Sequence, residues 1–229
     1  MSAERQWSEL LPRLTDSRRR VLTVDLPGHG HSVPIEAREA RPSVIAAALA
    51  ALIEAEDGPV DVVGYSLGAR LAWELPGVTT QVRRLVLCGL APFEPLADLN
   101  LDAIRATVAG SPATDPMPDL FAQIVTAPGN SAESLIAAIE GLRSEPFTPV
   151  TGFMTATLIV IGNDDESAAG SAAFTELLPN ARVEWVPGDH PTVPFEPAFG
   201  DAVLRFLDGG EGQRASNGQT SFAPKEIQR

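Results

Sequence analysis

The 229-residue chain has one cysteine, Cys88, so no internal disulfide can hold it together, which fits a reducing compartment. Cys88 ends an apolar run that reads as a buried strand, and its thiol reads as a core side chain. Positive charge is also scarce: 17 Lys and Arg against 30 Asp and Glu leave a net charge of -13. Such a surface repels nucleic acid and anionic membranes, so neither is expected as a partner. Long apolar runs are missing. The longest, residues 44–53, is too short and too rich in alanine to span a bilayer. No charged start, apolar core and cleavage site opens the chain, and a soluble, unexported, cytoplasmic protein is expected. Histidine occurs three times, and His29 and His31 have no cysteine or third ligand near them in sequence. Neither a metal nor a cofactor is expected there.

What is present suits one domain with a full core, or one domain with a small insertion, given a 44% apolar fraction. Its central stretch is Gly64-Tyr65-Ser66-Leu67-Gly68, which fits G-x-S-x-G between an apolar run ending at Val63 and a helical pattern starting at Leu67. A serine hydroxyl is a weak nucleophile. It gains reactivity on a sharp strand-to-helix turn, where a base reaches it and backbone N–H groups can hold an oxyanion. Ser66 is expected in a strained conformation, with Gly64 and Gly68 where side chains would collide with the neighbouring strand or helix.

The rest of the chain supplies a frame for that turn. Residues 4–14 carry Trp7, Leu10, Leu11 and Leu14 at helical spacing, and residues 21–24 read as a buried strand after Arg18-Arg19-Arg20, which cap a solvated edge. Residues 25–32 form a tight loop rich in glycine and proline. Ser43 reads as the N-cap of an alanine-rich helix over residues 44–56. A strand over 60–63 leads into the turn, a helix over 67–75 leads out and stops at Pro76-Gly77, and residues 84–88 form the next buried strand. This βαβ rhythm predicts an α/β fold with a mainly parallel sheet and helices on both faces.

Between residues 91 and 155 the rhythm gives way to prolines and short helical patterns over 99–108, 120–126 and 134–142. They predict a helical lid inserted over the carboxyl ends of the strands. The strand pattern returns at 157–161, followed by the polar loop Gly162-Asn163-Asp164-Asp165-Glu166, a helix over 168–178, a strand over 181–186, the loop Pro187-Gly188-Asp189-His190 and a closing helix over 196–207. The expected division is a discontinuous core of residues 1–90 and 156–208, a lid over 91–155, and a disordered polar tail over 209–229.

Ser66, an acid after residue 161 and His190 follow one another in the order Ser, Asp, His, each where a parallel strand delivers a loop. Together with Asp25-Leu26-Pro27-Gly28-His29-Gly30-His31-Ser32, Gly64-Tyr65-Ser66-Leu67-Gly68-Ala69-Arg70 and Gly188-Asp189-His190, this order resembles the α/β-hydrolase superfamily. The resemblance implies a Ser66, His190 and Asp165 triad. Asp165 is favoured because the family's carboxylate usually falls three residues after the glycine ending this strand, here Gly162, with Asp164 as the alternative. It also implies the Leu67 N–H as an oxyanion donor. Tyr65 and Arg70 are candidates to line a substrate pocket, although Arg70 could equally pair with a carboxylate.

The expected activity is hydrolysis of a small carboxylic ester, thioester or lactone through an acyl-enzyme, without a cofactor. Two rivals stand beside it. One is a lyase resembling the menaquinone-pathway succinyl-hydroxy-cyclohexadiene-carboxylate synthase, in which an arginine such as Arg70 binds a substrate carboxylate. The other is an inactive scaffold. In the family a strand ending in His-Gly precedes the helix holding Trp7, lies between the strands matching 21–24 and 60–63, and supplies a second oxyanion N–H; this sequence has no match for it. The expected outcomes are that the flanking strands close up, that the sequence is an amino-terminally truncated form, or that another segment fills the gap.

Overall fold

Four runs of residues pair into one parallel sheet. In the computed structural model, which describes residues 2–113, 115–149 and 152–209, they are β1 (Val60–Tyr65), β2 (Val82–Cys88), β3 (Ala156–Gly162) and β4 (Ala181–Val186). They lie side by side in the order β1-β2-β3-β4. Strand alternation sends Leu85, Leu87, Ile159 and Ile161 into one core with Trp73, Leu75 and Phe174. Val86, Cys88, Leu158 and Val160 enter a second core on the other face, with Leu10, Phe199 and Val203. Burial on both faces explains why residues 85–88 of β2 and 158–161 of β3 read as unbroken apolar runs.

The helices that cover those faces are α1 (Ala3–Gln6), α2 (Leu10–Asp16), α3 (Pro42–Glu54), α4 (Leu67–Ala72), α5 (Leu75–Val78) and α9 (Pro197–Leu207), with short 3-10 helices at Ala169–Glu176 and Val193–Phe195. Between β2 and β3 stand α6 (Leu101–Val108), α7 (Pro116–Val125) and α8 (Ala132–Arg143). These three share an apolar cluster of their own, with Leu99, Ile104, Val125, Leu135, Ile136 and Ile139 at its centre. Among the described residues, no helix is long and apolar enough to cross a membrane.

Several local expectations change. The helix expected over 4–14 is two helices broken at Trp7, whose ring instead stacks on Phe199 with centroids 6.1 Å apart. Ser43 is not an N-cap. Helix α3 starts on Pro42, which has no N–H to leave unpaired, and the Ser43 N–H and hydroxyl donate to Glu145 at 2.9 and 2.8 Å. The helix leaving Ser66 ends at Ala72, and Pro76-Gly77 lies inside the separate turn α5 rather than stopping α4. The helix expected over 168–178 is a 3-10 helix over Ala169–Glu176, and the expected tail from 210 onward lies outside the described residues.

The larger correction concerns residues 21–24. They belong to no strand, because an apolar β-branched run becomes a strand only when a neighbour takes its backbone hydrogen bonds. A cavity of about 860 Å³ lies between them and β1. The two stretches therefore do not close up, and no other described segment fills the space. The arginines before this stretch serve its lower end: Arg19 pairs with Asp61 at 3.1 Å and Asp208 at 2.7 Å, and Arg20 pairs with Glu56.

Candidate active site

Strand β1 delivers Ser66 at its carboxyl end. The Ser66 N–H still donates to Cys88 O at 2.8 Å as a last ladder bond, while its carbonyl accepts from Arg70 N at 3.0 Å as the first bond of the helix. Serving both elements forces φ to 53°, a left-handed value that is unusual for a residue with a side chain. Gly64 makes the turn possible, since a Cβ there would sit 2.6 Å from Gly68 O. Gly68 differs from expectation: a Cβ at that position would have nothing within 4 Å. Gly68 faces the cavity along β1, so the wall that would have crowded it is not there.

The Ser66 hydroxyl meets His190 Nε2 at 2.9 Å, and His190 Nδ1 meets Asp165 Oδ2 at 2.8 Å. A carboxylate can only accept, so the Nδ1 proton is directed to Asp165 and the Nε2 lone pair is left facing the serine O–H. Asp165 is 3% exposed, whereas Asp164 is exposed at the surface of the same loop. The structure thus brings Ser66, His190 and Asp165 together and leaves Asp164 out.

The remaining Asp165 oxygen, Oδ1, accepts from the Ser167 N–H at 3.1 Å, the Ser167 hydroxyl at 2.5 Å and the Ala168 N–H at 3.3 Å. Ser167 Oγ also lies 3.3 Å from His190 Nδ1. Sequence reasoning passed over Ser167, although a serine two residues after an aspartate is a familiar side-chain turn.

Tyr65 and Arg70 have definite places. The Tyr65 hydroxyl donates to the His190 carbonyl, and its ring lies 5.2 Å from the imidazole, so it braces the histidine loop while one side faces the cavity. Burial, followed by the negative charge of nearby acidic groups, raises the phenol's pKa. Arg70 lies outside the cavity wall. Its guanidinium pairs with Glu74 at 2.5 Å and Glu94 at 3.8 Å, donates to Glu145 O at 3.3 Å and stacks 4.6 Å above Phe147. Of the two readings left open for Arg70, the geometry matches pairing with carboxylates.

The Leu67 N–H is the first of α4 and has no hydrogen-bond partner among the described residues. His29 also reaches the cavity wall; its Nδ1 donates to Pro27 O at 3.0 Å, and burial lowers its pKa. His31 stays at the surface beside Asp25. No group of three metal-binding side chains occurs among the described residues. Cys88 is buried and burial raises its pKa, as befits a core thiol.

The profile of the Alpha/beta hydrolase family matches residues 2–205. A pimeloyl-[acyl-carrier protein] methyl ester esterase of Methylococcus capsulatus is 43% identical over 91 residues, 38% of this chain and 33% of that protein. The match thus spans about a third of that relative's length. A hydrolase from Pseudomonas aeruginosa superposes with a TM-score of 0.67 at 25% identity, over 90% of this chain and 86% of the other. The enol-lactonase of Burkholderia xenovorans gives 0.70 at 16% identity, over 90% and 87%, a likeness of fold. The chain belongs to the alpha/beta hydrolase family.

Proposed function

We propose that the protein is a serine hydrolase that cleaves a small carboxylic ester, thioester or lactone through an acyl-enzyme. The observation that carries this reading is the unbroken hydrogen-bonded chain Ser66 Oγ, His190 Nε2, His190 Nδ1, Asp165 Oδ2, with links of 2.9 and 2.8 Å. In the first step Ser66 Oγ attacks the carbonyl carbon while its proton passes to His190 Nε2. The carbonyl becomes an oxyanion held by the Leu67 N–H. Its collapse expels the alcohol or thiol, which takes the proton from Nε2. Water then attacks the acyl-serine, gives its proton to Nε2, and releases the acid as that proton returns to Ser66 Oγ. Asp165 orients the imidazole and stabilises the imidazolium.

The insertion supports a lid role, since Ile124, Ala127 and Asn130 share the cavity with Ser66 and Leu67. The esterase among the similar proteins supports an ester over other acyl groups. The lyase reading needs a cation free to hold a substrate carboxylate, and Arg70 is already paired with Glu74 and Glu94. With Leu67 as the one assigned oxyanion donor, turnover is expected about 10²–10³ below that of a comparable site with two. The expected result is that purified protein hydrolyses a short-chain aryl ester and is labelled at Ser66 by a fluorophosphonate. Ser66→Ala should lose both. An unlabelled parent, together with ester cleavage unchanged in Ser66→Ala, would discard the proposal.

A further inference from the structure

The bond between Asp165 and His190 joins a buried group to an open one. The Asp165 side chain is 2% exposed and the His190 side chain 36%. Water can therefore approach the imidazole from its outer side, where it competes with the carboxylate for the Nδ1 proton. Ser167 is an exposed residue at this edge. Its Oγ lies 2.5 Å from Asp165 Oδ1 and 3.3 Å from His190 Nδ1, so one hydroxyl touches both partners of the bond.

The direction of each contact follows from what the atoms can give. An ionised carboxylate only accepts, so the short contact to Oδ1 uses the Ser167 O–H as donor. That proton is then committed, and the lone pairs of Oγ are left for the Nδ1–H of His190. The imidazole proton is shared between Asp165 Oδ2 at 2.8 Å and Ser167 Oγ at 3.3 Å. The turn itself does not need the hydroxyl. The N–H groups of Ser167 and Ala168 donate to Oδ1 at 3.1 and 3.3 Å and hold the carboxylate whatever side chain stands at position 167. Nor is Ser167 placed as a second nucleophile, because the base atom Nε2 faces Ser66.

We infer that Ser167 is a positioning residue of the triad, whose hydroxyl closes the outer edge of the bond between Asp165 and His190 against water and so keeps the Nε2 lone pair aimed at Ser66. It acts through His190 and touches no reacting atom. When the Ser66 proton arrives at Nε2, the Nδ1 proton stays in place, and Ser167 Oγ is a second acceptor facing the charged ring. The expected effect on rate rests on the serine-hydrolase reading, whereas the effect on the Nδ1 proton does not.

The test compares the full chain with Ser167→Ala, which removes the hydroxyl, and Ser167→Thr, which restores it. The first readout is the low-field imidazole N–H signal in NMR of protein carrying isotope-labelled histidine. It is assigned by its loss in His190→Gln, since His29 also has a bonded Nδ1–H. The parent and Ser167→Thr are expected to show the His190 signal, and in Ser167→Ala its proton should exchange with water at least about tenfold faster. The second readout is ester hydrolysis. In Ser167→Ala kcat should fall about tenfold with KM unchanged, the size of one hydrogen bond to a charged group, and Ser167→Thr should recover it. Equal exchange in Ser167→Ala and the parent overturns the proposal, as does a parent whose Nδ1 proton is lost to water too fast to be seen. Faster exchange that Ser167→Thr does not reverse also overturns it, because that would mean a general loosening of the loop. So does an active parent whose kcat is untouched by Ser167→Ala. A proton protected in the parent, lost in Ser167→Ala and regained in Ser167→Thr, in a protein that neither cleaves esters nor is labelled at Ser66, would strike the hydrolase reading and uphold the role of Ser167.

Discussion

Two glycines flank Ser66 in the motif, and their surroundings are opposite. At Gly64 an added methyl meets backbone, Gly68 O at 2.6 Å and Ala69 Cα at 2.8 Å, and neither atom can rotate away. Gly64→Ala is expected to destabilise by about 1–3 kcal/mol, the usual cost of overpacking, and to disturb the hydroxyl two residues on. At Gly68 the methyl enters open space on a helix, where alanine is favoured over glycine, so Gly68→Ala is expected to stabilise by up to about 1 kcal/mol. Urea unfolding of both variants reads the two signs directly. The sequence pattern treated these glycines alike because a motif encodes spacing, not the neighbour that each position meets. Ser66, an acid after β3 and His190 were legible for the opposite reason: their order along the chain, each after a parallel strand, is a topological fact that local packing cannot alter, while the choice of Asp165 over Asp164 came from the family resemblance. The Tyr65 hydroxyl, which braces the His190 carbonyl, was not legible, since nothing in the five residues around it points to a partner 125 positions away.

Among the elements, the insertion is fastened to the rest of the fold by polar side chains at its two ends. Arg70, on α4 one turn after Ser66, meets Glu94 just after β2 and the backbone of Glu145 just after α8. Both charges are nearly buried, at 9% and 5% side-chain exposure. Arg70→Ala would leave Glu94 buried without its cation, and a loss of about 3–5 kcal/mol is expected in denaturant unfolding. Glu145 itself fastens α3 through Ser43. Burial would raise its carboxyl pKa, but the Ser43 N–H and hydroxyl, with Arg41 and Arg70 nearby, outweigh it and hold the group below its ordinary 4.5. A depressed carboxylate stabilises the fold fully above its unfolded pKa and loses that contribution as pH falls through the lower folded value. Glu145→Gln is therefore expected to be less stable than the parent at pH 7 by about 1 kcal/mol or less, because the side chain is a third exposed. The gap should shrink as pH drops below 4.5 and vanish once the parent's carboxyl is protonated, which unfolding curves at pH 7, 4.5 and 3 would trace. The sequence placed α3 and α8 within a few residues. It assigned the cap of α3 to Ser43 because the true partner of that serine lies 102 positions away, beyond the reach of a local capping rule.

Across the whole molecule, stability is unevenly shared between the two sides of the sheet. Strands β2 and β3 have neighbours on both edges and cores on both faces, whereas β1 has a neighbour on one edge and a cavity on the other. The strand rhythm that made a parallel sheet legible says which runs are apolar enough to be buried, but pairing needs a neighbour as well. Residues 21–24 carry the right side chains and still form no strand for want of one. The same shortage should leave a mark on β1. The amides of Val62 and Gly64, which the ladder points at β2, exchange only when the strand opens. Those of Asp61, Val63 and Tyr65 point at the cavity and need no opening once water reaches them. In the free protein, exchange along β1 is therefore expected to alternate, with residues 61, 63 and 65 faster than 62 and 64 by at least about tenfold, or about 1.4 kcal/mol of apparent protection. Over β2 and β3 protection should instead be continuous, approaching the value set by global unfolding. Uniform protection along β1 in dilute solution would mean that its outer edge is already paired, and the asymmetry argued here would not exist.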